Sequence, residues 1–485
     1  QYAEPTDESL FEDFSLIDLE GAEYRLVKVY LLQVTPTFAA NFRIMIIQKF
    51  GGTSLGTPER MHAIASLIAD GERKVIVLSA VSGTTNTLVE ICTALHKKDE
   101  EEALLLVNNL DALYKQFIES LFSKSSATSF KEETLETIEA YLNGIRSYSK
   151  KLFNPFIERS ILAQGELLST NIFHQYLKSE EKKSVLLNAL DFMRTDSSGE
   201  PDQKFIEENL QFELSKHPKK NLFICQGYIC RNAFGEIDNL KRGGSDYSAS
   251  LIGAAINADN IQIWTDIDGM HNNDPRVVEK TQPIQELSFK EAAELAYFGA
   301  KILHPASIRP AEEKNIPVWL KNTMDPKAHG TLIHAESTAK GFKAVAAKDG
   351  ITAIKIRSGR MLMAYGFLRN VFEVFERYKT PIDMITTSEV AVSVTIDELT
   401  NLEGIVKELK NFGSVEVDEN QTIVCIVGDY SAEGIGYASK IFTALDKIPI
   451  RMISYGGSNH NVSVLIQTDQ KKAALSALSK GVFNL

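Results

Sequence analysis

Ile44-Met-Ile-Ile-Gln-Lys-Phe50 is an apolar run that stops at Gly51-Gly52-Thr53-Ser54, and Thr57-Pro58-Glu59 comes next. An apolar run ending in glycines reads as a buried strand. Thr57 as N-cap and Pro58 at the first helical position then open a helix. Lys74 to Leu78 is a second short apolar run and ends in the small-residue loop Ser79-Ala-Val-Ser-Gly-Thr-Thr-Asn86. Residues 98–150 read as two or three polar helices. Leu222 to Gln226 and Ile261 to Trp264 read as further buried strands, with a helix from Asp246 to Asn257 between them. This alternation predicts an α/β domain with a mainly parallel sheet, spanning about 44–335.

The rest of the chain bounds the answer. Of 485 residues, 64 are acidic and 52 basic, for a net charge of −12; 44% are apolar and 24% charged. That is ordinary for a soluble globular chain, of a length suggesting about three domains. The acidic balance argues against non-specific binding to nucleic acid or to anionic membrane. No apolar run reaches the roughly 18 residues of a membrane span; Leu26 to Val34 is interrupted by Lys28 and Gln33. Cys92, Cys225, Cys230 and Cys425 have neither zinc nor disulfide spacing, and no secretory signal opens the chain, so reduced thiols and a cytoplasmic location are expected. Residues 1–43 form an N-terminal extension of unknown role, and Met45 would be a natural start for the α/β domain.

The last third contains a repeat. Gly366-Phe-Leu-Arg-Asn-Val-Phe aligns with Gly436-Tyr-Ala-Ser-Lys-Ile-Phe, Pro381-Ile-Asp-Met-Ile with Pro449-Ile-Arg-Met-Ile, and Ala391-Val-Ser-Val with Asn461-Val-Ser-Val. Each unit reads strand, glycine loop, helix, strand, turn, strand, so two copies of one small α+β module are expected over 343–485.

Several segments could carry chemistry. In Lys49-Phe-Gly51-Gly52-Thr-Ser54 the glycines admit an oxyanion to the backbone and Lys49 adds charge; the bland alternative is an ordinary turn, and the Walker spacing is absent. Lys241-Arg242-Gly-Gly-Ser-Asp246 opens a helix, whose free N–H groups attract anions, although Asp246 could simply cap it. Trp264-Thr265-Asp266-Ile-Asp268-Gly269 and Asn273-Asp274-Pro-Arg276 lie beyond a buried strand, where open α/β sheets bind ligands; solvated loop acids are the alternative. Lys301 in Phe298-Gly-Ala-Lys301-Ile-Leu-His304-Pro305 could reach phosphate, while His304 reads as structural. Glu166 in Gln164-Gly-Glu166-Leu could bind an ammonium group or be a solvated helix residue.

Taken together and in this order, these segments resemble the aspartokinases over about 44–485. Lys-Phe-Gly-Gly-Thr-Ser, Gly-Glu-Leu, Arg-Gly-Gly-Ser-Asp-Tyr, Trp-Thr-Asp, Asp-Pro-Arg and Phe-Gly-Ala-Lys-x-Leu-His-Pro are all present. The resemblance implies an amino-acid-kinase fold, an αβα sandwich, followed by two ACT modules at about 350–415 and 420–485, the second taking a strand from 343–348. It implies ATP and Mg²⁺ as cofactors and L-aspartate as substrate. Lys49, Gly51, Gly52, Ser54, Thr265, Asp266, Asp274, Arg276 and Lys301 would contact the nucleotide. Ser79, Thr85, Glu166 and Arg242 would hold aspartate, and Asp246 would organise phosphoryl transfer beside Lys49. Lys241 stands where glycine is usual, and Asn273 where threonine is common.

The regulatory segments Ser358-Gly-Arg-Met361 through Leu368 and Ile382-Asp383 through Glu389 are similar to the lysine-sensitive type. Asp383 would face the effector's ammonium groups, with Met361, Gly366, Phe367, Leu368, Ile382 and Thr387 around it; Ala364 replaces a serine often found there. The same resemblance implies a monofunctional enzyme and a homodimer or dimer of dimers joined through the ACT modules. The β-carboxylate of aspartate, with a pKa of about 4, is already ionised at neutral pH and needs no general base. Two other readings remain open: a different enzyme of the amino-acid-kinase fold, and a catalytically silent amino-acid sensor.

Overall fold

The computed structural model describes residues 45–123, 128–240, 243–299, 303–337, 340–359, 365–430 and 435–485. Lys241, Arg242, Lys301, Met361 and the segment 1–43 lie outside the described residues.

Among the described residues, eight strands form the sheet of the N-terminal domain. They are β1 (Ile46–Phe50), β2 (Lys74–Leu78), β3 (Ser184–Leu187), β4 (Leu222–Gln226), β7 (Asn260–Thr265), β8 (Glu286–Ser288), β9 (Val318–Asn322) and β10 (Thr331–His334). β5 (Ile229–Arg231) and β6 (Ile237–Asn239) make a separate hairpin. The sheet order is β3-β4-β2-β1-β7-β9-β10-β8, and every pairing is parallel except β9 with β10. This is the α/β class with a mainly parallel sheet that the alternation predicts.

β1 is flanked by β2 on one side and β7 on the other, so the crossovers leave it in opposite directions. That reversal opens a crevice beyond the carboxyl end of β1, and Lys49 to Ser54 sit there. Both faces of β1 and β2 are covered. Ile47, Val75 and Val77 pack with Ala249 and Ile252 in one core; Phe50, Ile76 and Leu78 pack with Leu88, Tyr114 and Phe173 in the other. Burial on two faces explains why these strands read as continuous apolar runs. Thr57 caps the helix Pro58–Leu67 by accepting from the Arg60 N–H.

The C-terminal modules share one sheet, ordered β12 (Ile385–Thr387), β13 (Ala391–Ile396), β11 (Gly341–Arg357), β14 (Ser414–Asp429), β16 (Asn461–Gln467) and β15 (Met452–Tyr455). β11 and β14 run through it; β12, β13, β15 and β16 flank them. Arg357 to Thr352 of β11 pair with β13, whereas Gly341 to Lys348 pair with the far half of β14, which in turn pairs with β16. The ladder between β11 and β14 shifts register between Lys348 and Ile351, where one unit gives way to the other. Each unit lays its own helix on the sheet: Phe367–Arg377 around Val371 and Phe375, and Tyr437–Ala444 around Ile441.

Gly253 shows how closely the helix Gly244–Ala255 lies on the sheet. A Cβ there would come within 2.6 Å of Ile261 Cδ1. Gly253→Val is expected to destabilise the protein by about 1–3 kcal/mol in urea denaturation through overpacking; an unchanged midpoint would contradict this packing.

Candidate functional site

The loops after β1 and β2 meet at the sheet edge. A Cβ on Gly52 would lie 2.8 Å from the Ala80 carbonyl oxygen, so only glycine permits this approach. The Ser79 N–H donates to Phe50 O and the Ser82 N–H to Gly52 O. A Cβ on Gly51 would lie 3.5 Å from Lys49 Nζ. Lys49 reaches along this edge to the first turn of the helix Gly244–Ala255, where Nζ lies 2.7 Å from Asp246 Oδ1. Their side chains are 11% and 17% exposed, so the pair is largely withdrawn from water without being sealed. Gly243, with φ 70°, begins that helix, and a Cβ there would lie 2.7 Å from Ser307 Cβ.

Glu166 enters from the helix Gln164–Ser179. Its residue is 5% exposed, and Oε1 accepts from the Ala80 N–H at 3.3 Å. Burial pushes its carboxyl up to about 8, opposed by backbone hydrogen bonds and the nearby Lys49 charge. Gly165 makes this placement possible, since a Cβ there would lie 2.8 Å from Ala80 Cβ. Ser169, one turn on, donates to Ser79 O at 2.7 Å and fixes the loop. Neither Gly165 nor Ser169 stood out in the sequence as a placement device, although Gly165 opens the Gly-Glu-Leu segment and Ser169 lies two residues past it. Thr85 is exposed on the first turn of the helix Thr84–His96, while its neighbour Thr84 is buried against Tyr114 OH at 2.8 Å.

The remaining candidates divide. Ser54 is fully buried and its hydroxyl meets Thr323 Oγ1 at 2.7 Å; the Thr323 N–H donates to Thr265 O. This chain ties the ends of β7 and β9 to the loop after β1 and engages Ser54 internally. The Thr265 hydroxyl donates to Asp266, which is exposed. Asp274 and Arg276 form a two-point pair at 2.9 and 2.8 Å, and that guanidinium holds the Asp274 carboxyl below its ordinary range. Their segment is docked on the second repeat unit. Asn273, 3% exposed, donates to Leu475 O in the helix Lys471–Phe483, and Val278 packs with Val345 and Leu475. The Asn273 departure is therefore a docking contact, which spacing could not reveal. His304 caps the helix Pro305–Glu313 by accepting from the Ala306 N–H, the structural part expected of it.

In the first repeat unit, Gly366 (φ 83°) precedes the helix whose Phe367 enters the core; Leu368 is at the exposed margin, Ile382 packs against that core and Thr387 is exposed on β12. Asp383 is only 2% exposed. Its Oδ1 receives Lys348 Nζ at 2.8 Å and the Tyr297 hydroxyl at 2.7 Å, and Lys348 also reaches Asp397 at 2.8 Å. Burial opposes the Lys348 charge, but its hydrogen bonds to Asp383 and Asp397 win and hold the amine above the usual lysine range. Burial and then the bond to Asp383 push the Tyr297 phenol up to about 12. Tyr297 and Lys348 were not foreseen; they lie far apart in sequence and match no motif.

Among the described residues no group of three or more His, Cys, Asp or Glu could hold a metal ion, and no helix is long and apolar enough to cross a membrane.

The sequence profile of the amino acid kinase family matches residues 45–322, and an ACT domain profile matches residues 424–481. Lysine-sensitive aspartokinase 3 of Escherichia coli (strain K12) is 31% identical over 452 residues, covering 90% of this chain and 99% of that protein. Chloroplastic aspartokinase 3 of Arabidopsis thaliana is 32% identical, covering 91% and 82%. Aspartokinase III of E. coli, solved in complex with aspartate and ADP, superposes with a TM-score of 0.75 at 30% identity, covering 90% of this chain and 100% of that one. The same enzyme solved with lysine and aspartate gives 0.73 at 31% identity, covering 90% and 99%. With the family profile across more than half of the chain and relatives matched along nearly their whole length, the chain belongs to the aspartokinases of the amino acid kinase family.

Proposed function

We propose that the protein transfers the γ-phosphoryl group of ATP to the β-carboxylate of L-aspartate, yielding 4-phospho-L-aspartate, and that lysine inhibits it. The observation that carries this reading is the Lys49–Asp246 ion pair at the carboxyl edge of the sheet, beside the buried Glu166. An ionised carboxylate must approach an anionic phosphoryl group, so the barrier is electrostatic and positional. Lys49, the free N–H groups at the start of the helix Gly244–Ala255 and the glycine backbone after β1 supply positive potential fixed in advance. Lys301 would add a contact to phosphate beside Lys49, and Gly51, Gly52, Thr265, Asp266, Asp274 and Arg276 would line the nucleotide, with Ser54 supporting the loop.

Ser79, Thr85 and Arg242 would hold the aspartate carboxylates, and Glu166 its ammonium. Mg²⁺ would enter on the nucleotide phosphates, an arrangement that needs only one or two protein carboxylates. Asp246 is the carboxylate at this edge suited to it, and the ion would neutralise charge developing on the phosphates.

The kinase domain would span about 44–335 and the regulatory region 343–485, with the strand from 343–348 serving the second module. Asp383 would take the effector's ammonium, with Gly366, Phe367, Leu368, Ile382, Thr387 and Met361 around it. A homodimer or dimer of dimers through the ACT modules, and a cytoplasmic location, complete the reading.

Turnover of Mg-ATP with L-aspartate, trapped as the hydroxamate, tests this directly. Hydroxamate formation suppressed by lysine is expected. Folded protein that binds lysine but yields no hydroxamate would replace the enzyme with an amino-acid sensor. Product from glutamate but not aspartate would reassign the substrate.

Glu166 gives a second test. A carboxyl whose folded pKa is raised holds its proton more tightly when folded, so its contribution to stability is complete below the unfolded pKa and is lost as pH rises toward 8. Glu166→Gln cannot ionise and is expected to gain stability relative to the parent between pH 5 and pH 8, by more than about 1 kcal/mol in urea denaturation. A difference that is flat across this range would contradict the buried-acid description.

A further inference from the structure

The loop between β2 and the helix Thr84–His96 is held by two other helices. At its near end the Ser79 carbonyl accepts from Ser169 Oγ and the Ala80 N–H donates to Glu166 Oε1, both from the helix Gln164–Ser179. At its far end Thr84 Oγ1 lies 2.8 Å from the Tyr114 hydroxyl, which comes from the helix Glu100–Leu121. Thr84 and Tyr114 are both buried, whereas Ser82, Gly83 and Thr85 are exposed. The helix Thr84–His96 has no capping side chain of its own: Gly83, with φ 87°, stands at its N-cap. Its start is therefore fixed from outside, through Tyr114.

Tyr114 is itself firmly placed. Asp111, one turn earlier, takes Arg146 Nη2 at 2.7 Å and so ties the helix Glu100–Leu121 to the helix Thr128–Tyr148. The Tyr114 ring packs with Leu88 and Phe173 in the apolar core. A phenylalanine would fill that space equally well, so the oxygen is there for its polar contact, which a core tolerates only when it is satisfied. Thr84 faces two ways. Its hydroxyl meets Tyr114, and its Cγ2 would lie 3.7 Å from a Cβ on Gly165, the residue before Glu166. Thr84 is thus wedged between Tyr114 and the turn that carries Glu166, and Thr85 follows it directly.

We propose that Tyr114 is a positioning residue for the amino-acid substrate: through Thr84 it sets the separation of Thr85 and Glu166. This rests on the reading of Thr85 as a contact to an aspartate carboxylate and of Glu166 as the contact to its ammonium. The two ends of an amino acid are a short, bounded distance apart, so the groups that grip them must be held at a matching distance. Removing the phenolic oxygen leaves the Thr84 hydroxyl buried without that partner, which favours displacement of the helix start. Thr85 moves with it. Lys49 and Asp246 are carried by β1 and by the helix Gly244–Ala255, so the loss falls on the amino acid rather than on the nucleotide.

Tyr114→Phe is expected to raise KM and calorimetric Kd for aspartate about fivefold or more, while KM for ATP stays within about twofold. A general loss of stability would not split the two substrates in this way. Thr84→Val, which keeps the shape and loses the hydroxyl, is expected to do the same; Thr84→Ser, which keeps the hydroxyl, is expected to stay within about twofold of the parent for both substrates. The double variant Tyr114→Phe/Thr84→Val should be no worse than the poorer single one, since both remove the same bond. Melting temperatures show which variants fold, and if Tyr114→Phe does not, the contrast of Thr84→Val with Thr84→Ser decides. Unchanged aspartate KM in the variants that lack the bond, equal rises for aspartate and ATP, or Thr84→Ser as impaired as Thr84→Val would each overturn the proposal. A parent protein that neither binds nor phosphorylates aspartate would instead remove Thr85 and Glu166 as substrate contacts, and the proposal with them.

Discussion

The Lys49–Asp246 ion pair depends on two elements far apart in the chain arriving at the same edge. Lys49 is the penultimate residue of β1 and Asp246 lies in the first turn of the helix Gly244–Ala255, so the pair forms only when that helix crosses the end of the strand at which the sheet reverses direction. Gly253 lets the helix lie close on the sheet, Gly243 lets its start pass close to Ser307 of the helix Pro305–Glu313, and Gly52 lets the loop after β2 fold over the end of β1. A lysine and an aspartate partly withdrawn from water interact strongly, and each alone would carry a desolvation cost that its partner offsets. Chemistry between two anions needs such a region: positive potential held rigidly by the scaffold, so that little reorganisation is required when charge moves.

The regulatory half is bound to the same domain through packing and polar contacts rather than through a flexible tether. Ala344, Ala346 and Cys425 of the C-terminal sheet belong to the same apolar core as Ile47 and Val75 of the kinase sheet. Val278 enters the core of the second unit, and Asn273 donates to a helix carbonyl there. β11 serves both units and also meets Gly299, so one strand touches both halves. A packed interface of this kind switches between discrete arrangements more readily than it deforms by degrees.

Much of this was legible in the sequence because it rests on local rules. Strands buried on both faces, Thr57 before Pro58, and the repeated glycine-helix-proline pattern each arise from a few neighbouring residues. Lys49, Asp246 and Glu166 could be named because their segments carry glycines and charges in a recognisable order. What stayed hidden was long-range. Nothing near Ser54 announces that Thr323 will take its hydroxyl, and nothing near Asn273 announces Leu475. The alliance of Tyr297 with Lys348 and Asp383 joins three segments that share no period or spacing. Such contacts are set by how the sheets pack, which periodicity does not encode.

The central claim is that Lys49 and Asp246 act as one unit at the phosphoryl-transfer site. A double-mutant cycle on kcat, with Lys49→Met, Asp246→Asn and the double variant assayed with Mg-ATP and L-aspartate, tests it most directly. Each single change is predicted to lower kcat by about a hundredfold or more. The double variant should be little worse than the poorer single one, because groups that act together are not additive. Losses that simply multiply, or single variants within a few-fold of the parent, would contradict the account.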